Sequence, residues 1–250
     1  MQRRKFHMMG AGNLTGSPLS DDNNQIGTPN NSTKIETEFN SIPVITQHTF
    51  YITEGFIKQP DEKLVYFRGF SQNDTTLEVP AQPFVIRQGE EVTIIIKNTL
   101  TTEHSFIIDG IVDSGVIKAG ESKAIIFTTH KKGSYLFYDG LNAPFNRLSG
   151  LHGGMEVIAT NNNKEEKNHL KFKQNLFKVI SDIDPSWHNE FKNNIIPTTP
   201  FTPSYFTING LSIKVLKKTS EQSDLIIQKK TKEYMENRTL YAGINTQALH

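Results

Sequence analysis

Side chains with metal-binding chemistry cluster in three short stretches of the chain. His104 lies in Glu103-His104-Ser105-Phe106, Asp139 ends Gly133-Ser134-Tyr135-Leu136-Phe137-Tyr138-Asp139, and His152 and Met155 share Leu151-His152-Gly153-Gly154-Met155. Two imidazoles and one carboxylate suit Cu(II), Fe(II) or Zn and leave coordination positions open. For that chemistry His104, His152 and Asp139 must meet at one end of a fold, because metal–nitrogen and metal–oxygen bonds are about 2 Å long. The same residues also admit a reading without metal, in which Asp139 caps a loop and both histidines are partly buried hydrogen-bonding groups inherited from a metal-binding ancestor. The chain has no cysteine, which removes disulfides, thiol nucleophiles, iron–sulfur clusters and cysteine-type zinc sites together. His7, His48, His130, His169 and His188 have no partner at ligand spacing and are expected at the surface. No Gly-x-Ser-x-Gly elbow, phosphate loop or paired-glutamate constellation supports a hydrolase or a nucleotide-binding protein.

The bulk numbers set wide bounds. The 250 residues are enough to bury a sizeable core in one large domain or two small ones. Formal net charge is +1, from 27 basic and 26 acidic residues, so no whole-molecule field argues for a nucleic acid or an anionic membrane as partner. No stretch approaches the roughly 18 uninterrupted apolar residues of a membrane span. At the N-terminus, Arg3-Arg4-Lys5-Phe6 followed by Met8-Met9-Gly10-Ala11-Gly12 resembles a twin-arginine export signal, which implies a periplasmic or secreted protein. The other reading of that segment is a disordered basic N-terminus, and residues 1–41 as a whole are assigned to a disordered N-terminal region with that signal.

The elements that must position the candidate ligands are strands. Beyond Ile42 short apolar runs rich in Ile, Val, Phe, Tyr and Thr alternate with Gly, Pro and Asn-Asp turn signals, the pattern of an all-β sandwich. Strands are expected at Thr49–Gly55, Lys63–Phe70, Pro83–Arg87, Glu91–Asn98, Glu103–Ile108, Ser122–Thr128, Gly133–Tyr138 and Gly154–Ala159. They make one antiparallel Greek-key sandwich over residues 42–160, with Phe84, Ile86, Ile94, Ile96, Phe106, Ile108, Ile126, Leu136 and Val157 facing inward by period-two spacing. The polar run at 161–170 reads as a linker. After it, residues 171–250 carry a strand at Leu176–Ile180, a helix opened by Asp184-Pro185, and a strand ending at the Asn209-Gly210 turn. On that helix Trp187 and Phe191 stand four apart, the spacing of a packing wedge. Leu225-Ile226-Ile227 and Leu240-Tyr241 are expected to be exposed or loosely packed at unpartnered edges.

The order of these pieces resembles the first domain of multicopper oxidases, of the cupredoxin (plastocyanin-like) superfamily. Val79 to Glu90 is similar to the family's opening strand and Gly-Glu turn, and Glu91–Asn98 to the strand that precedes its first histidine cluster. Ile117-Lys118-Ala119-Gly120-Glu121-Ser122 resembles its Ile-x-Pro-Gly-Glu-Ser turn, and Gly133 to Tyr138 its Gly-Thr-Tyr-x-Tyr-His strand. Ser181 to Pro185, Phe206 to Gly210 and Ala242 to His250 look like the opening of a second such domain. The fold implied is therefore a cupredoxin-like sandwich followed by an incomplete second cupredoxin-like domain, a fragment of a longer multidomain protein.

The resemblance implies copper as cofactor and, in the family, oxidoreductase activity. His104, His152 and an axial Met155 map onto a mononuclear blue site in which Asp139 stands in place of the cysteine thiolate. The His-x-His pairs of a trinuclear cluster are replaced by His104-Ser105-Phe106 and Tyr138-Asp139-Gly140. Two functions follow: a copper-binding relative of the oxidases with degenerate sites and impaired or absent enzyme activity, or a metal-free cupredoxin scaffold that binds a protein partner. The partners implied are a copper ion and either a partner protein or the missing C-terminal domains.

Overall fold

A computed structural model of the protein describes residues 46–160, 172–212 and 234–245. The described residues belong to one compact unit. The segment carrying Arg3 and Arg4 and the Leu225-Ile226-Ile227 run lie outside the described residues. No helix among the described residues is long and apolar enough to cross a membrane.

In chain order the elements are β1 (Thr46–Lys58), β2 (Leu64–Ser71), β3 (Ala81–Arg87), β4 (Glu91–Asn98), β5 (Ile107–Ile108), β6 (Val112–Asp113), β7 (Ser122–Thr128) and β8 (Gly133–Tyr138). A single helical turn, α1 (Phe145–Leu148), precedes β9 (His152–Ile158), and then come β10 (Phe172–Ile183), α2 (Pro185–Lys192), β11 (Tyr205–Ile208), β12 (Leu211–Ser212) and β13 (Tyr234–Tyr241). One sheet has the order β2-β1-β4-β7, a second β3-β9-β8-β5-β6, and a third β12-β11-β10-β13. The first two face each other across a core built on Phe50, Phe70, Phe106 and Phe137, with Ile94 and Ile96 wholly buried. Its rings meet at centroid distances of 5.2 Å (Phe106–Phe137) to 6.4 Å (Phe50–Phe70), the range in which aromatic pairs add about 0.5–1.5 kcal/mol beyond area burial.

The all-β sandwich expected from the sequence is present, with four corrections. β1 pairs with β4, and β3 with β9, in parallel, so the sheets are mixed. Crossovers through intervening strands make those pairs, which a hairpin cannot. Ile126 is 62 % exposed and Leu136 half-buried, whereas Ile125, Phe127 and Phe137 point inward. Both segments carry two apolar sets one residue apart, and a one-residue slip exchanges the faces. The expected strand at Glu103–Ile108 shrinks to β5, with His104 held by an isolated bridge to Ile117. Leu240 and Tyr241 are half-buried rather than exposed, because β13 pairs in parallel with β10.

α2 starts where Asp184 caps it, its carboxylate accepting from Ser186 N at 2.9 Å with Pro185 in the first turn. Trp187 and Phe191 then pack with Tyr66 of β2 and Leu148 of α1 in a small aromatic cluster. His188, expected at the surface, is buried beside them and hydrogen-bonds the Tyr66 carbonyl through Nδ1 at 2.6 Å.

Candidate functional site

His104 and Asp139 are brought together at one end of the sandwich. His104 is fixed by the reciprocal backbone bonds of its bridge to Ile117, at 3.0 and 2.7 Å. Asp139 follows β8 directly and donates its N–H to the Leu151 carbonyl at 3.0 Å. Both side chains are completely buried, and His104 Nδ1 lies 2.7 Å from Asp139 Oδ2.

Around Asp139 the donors close completely. Oδ1 accepts from Ser105 N (2.9 Å), Ser105 Oγ (2.7 Å) and Leu141 N (2.9 Å), and Oδ2 from Asn146 Nδ2 (2.9 Å) besides His104. Five donors meet a carboxylate that offers about four lone-pair sites. The other nitrogen of His104, Nε2, is engaged by the Thr102 hydroxyl at 2.9 Å.

His152 is oriented away from this pair. Its Nδ1 is 2.9 Å from the Arg147 carbonyl, which can only accept, so Nδ1 carries the hydrogen. Burial pushes the His152 ring down to about pKa 4, so it is neutral and Nε2 accepts from the Ser181 hydroxyl at 2.8 Å. Met155 is wholly buried in the aromatic core. Alternation along β9 is the cause. Gly153 faces Phe137 and Met155 joins the same core, whereas His152, Gly154 and Glu156 face Ser181, Phe177 with Leu240, and Arg238. His152 and Met155 therefore stand on opposite faces of one strand.

The residues do not fit a metal ion as they are arranged. Every lone pair of His104, Asp139 and His152 that a metal would take is committed to a protein donor, and Met155 is packed among phenylalanines. Among the described residues no group of three or more His, Asp or Glu side chains is placed to hold a metal. The Ser181–His152–Arg147 carbonyl chain has the outline of a nucleophile and its base. The adjoining cavity measures only about 20 Å³, room for one water, and a ring titrating near 4 is a weak base at neutral pH. Asn146 lies with Pro144 and Arg147 in the long segment from Gly140 to Leu151, which the sequence marks as a functional loop, whereas Thr102, Ser105 and Ser181 are not site candidates by sequence. Small polar residues of this kind carry no spacing signal until strands bring them to the ligand positions.

Residues 74–147 match the family model of the cupredoxin-like domain. No protein of curated function matches the sequence. Among solved structures, a blue copper oxidase from Nitrosomonas europaea is similar at 19 % identity and a TM-score of 0.61, over 80 % of this chain and 61 % of its own. A copper nitrite reductase from Nitrosomonas europaea is similar at 18 % identity and a TM-score of 0.62, over 81 % of this chain and 69 % of its own. The multicopper oxidase mgLAC is similar at 18 % identity and a TM-score of 0.56, over 66 % of this chain and 53 % of its own. At these identities the likeness establishes the fold. The chain spans about half to two thirds of the length of these proteins.

Proposed function

We propose, for a chain that carries a cupredoxin-like domain at residues 74–147, a metal-free scaffold whose former ligand positions hold the fold together and whose role is to bind a protein partner. The observation that carries this reading is the closed shell of five donors on the Asp139 carboxylate. A carboxylate that ligates a metal keeps lone pairs for it, and its surrounding groups orient it toward the ion. Here the surrounding groups consume those lone pairs. The reading includes two cupredoxin-like parts, residues 42–160 and 171–250, and export by the Arg3-Arg4 segment, each supported by the sequence pattern.

A second reading is favoured by the names of the three structural neighbours given above, all copper enzymes by name. In it a copper ion is held by His104, Asp139 and His152 with Met155 axial. It requires His152 to leave Ser181 and the Arg147 carbonyl and Met155 to leave the core. Metal analysis of protein loaded with copper and then desalted separates the two. The scaffold reading expects far less than one copper per chain and no difference between wild type and His104→Ala. About one copper per chain, lost in His104→Ala, would overturn it.

A further inference from the structure

A second cleft opens beside the buried His104–Asp139 pair, between the sandwich and the C-terminal end of α2. Its volume is about 80 Å³, against the roughly 10–15 Å³ that one ordered water needs. Arg68 of β2 lines it and is only 6 % exposed. Its guanidinium is partly committed: Nε donates to Tyr66 Oη at 3.0 Å, and Nη2 donates to the Phe191 carbonyl at 2.8 Å and to Asn194 Oδ1. The nearest carboxylate, Glu54 Oε2, is 3.9 Å from Nε on a half-exposed side chain. Nη1 makes no hydrogen bond among the described residues and is not sealed from solvent. A buried cation with one unused nitrogen and one distant counter-charge is complementary to an anionic oxygen, which Nη1 would meet through a single charge-assisted hydrogen bond.

The rest of the cleft defines what carries that anion. Phe145 and Phe191 line it, and so do Ile195 and Ile196, which are 53 % and 51 % exposed. Thr102 and Asn146 line it too, but both are already bonded to the His104–Asp139 pair. Exposed Glu103 adds a negative charge to the lining, which disfavours a second anionic group.

We infer that this cleft binds a single carboxylate on a short apolar stem, with Arg68 taking the carboxylate and Ile195 and Ile196 covering the stem. Two sources present that chemistry, a small aliphatic monocarboxylic acid and the C-terminus of a peptide ending in an aliphatic residue. The inference does not depend on the metal-free reading, since copper analysis and carboxylate titration fail separately.

Calorimetric titration of the full chain tests it with 4-methylpentanoate and its neutral amide, and with a short peptide ending in Ile, free or amidated. Saturable binding of the acid, the free-ended peptide or both is expected, with neither amide binding. The arm that binds more tightly identifies the source. Arg68→Gln should weaken binding by about tenfold or more, the worth of one charge-assisted pair. Because Arg68 also ties α2 to β2, Ile195→Glu, at an exposed position, serves as the second variant and should weaken binding comparably without a change in the melting curve. No saturation by either carboxylate, equal binding of acid and amide, or wild-type affinity in Ile195→Glu would overturn the assignment.

Discussion

A wholly buried carboxylate persists only if its lone pairs are matched, and Asp139 meets that condition with donors from four residues: His104, Ser105, Leu141 and Asn146. His104 and Ser105 lie 35 and 34 residues from Asp139, and Asn146 lies in α1, so the side chain ties the loop after β8 to the His104 bridge and to α1. Removing it leaves several buried donors unanswered. Asp139→Ala should therefore lower the unfolding free energy by about 3–5 kcal/mol in urea denaturation, the usual cost of breaking a buried pair. A residue left over from metal binding, with no structural duty, would cost under about 1 kcal/mol. His104→Phe in the Asp139→Ala background should recover part of the loss, because both polar partners are then gone.

The same logic operates between elements, where buried imidazoles tie helices to strands. His152 joins α1 to β10, and His188 joins α2 to the Tyr66 carbonyl of β2. Burial pushes both rings down to about pKa 4, below the ordinary value of 6.5. The unfolded chain thus takes up these protons as pH falls through about 6.5, whereas the folded chain resists until about 4. Stability should fall with pH across that window, by up to about 1.4 kcal/mol per pH unit for each histidine. Urea midpoints measured from pH 7 to pH 4 should show the slope, and His188→Gln should reduce it. A flat profile would mean that the rings are not held neutral. Much of this element level was legible in the sequence. β4, β7 and β8 fall where turn signals and apolar runs place them, and Trp187 and Phe191 form the expected wedge. The expected convergence of His152 and Met155 on one site does not occur, and their odd separation of three residues in a strand already places them on opposite faces. His188 carried no such signal, because its burial comes from the sheet that α2 covers.

At the scale of the whole molecule, β9 helps to bind the third sheet to the sandwich, beside β2, whose Val65 and Phe67 pack with Ile183 of β10. Glu156 meets Arg238 at 2.8 Å, His152 meets Ser181, and Gly154 lets Phe177 and Leu240 close over the sheet. The sequence did not reveal this contact, since a glycine in a strand reads as a weak point rather than as space reserved for a ring. It also explains why Leu136, which pairs with Gly154, faces the third sheet instead of the core. A Cβ at Gly154 would lie 2.2 Å from Phe177 Cε1 and 3.3 Å from Leu240 Cδ1, so the ring must move for any larger residue to fit. Gly154→Val should accordingly destabilise the chain by roughly 1–3 kcal/mol through overpacking. The damage should be local in hydrogen exchange, with protection falling in β10 and β13 while β1 and β4, on the far sheet of the sandwich, keep theirs. Uniform loss across β1, β4, β10 and β13 would instead show that the sandwich and the third sheet unfold as one cooperative unit, and unchanged protection in β10 and β13 would show that the contact through Gly154 does not hold the third sheet in place.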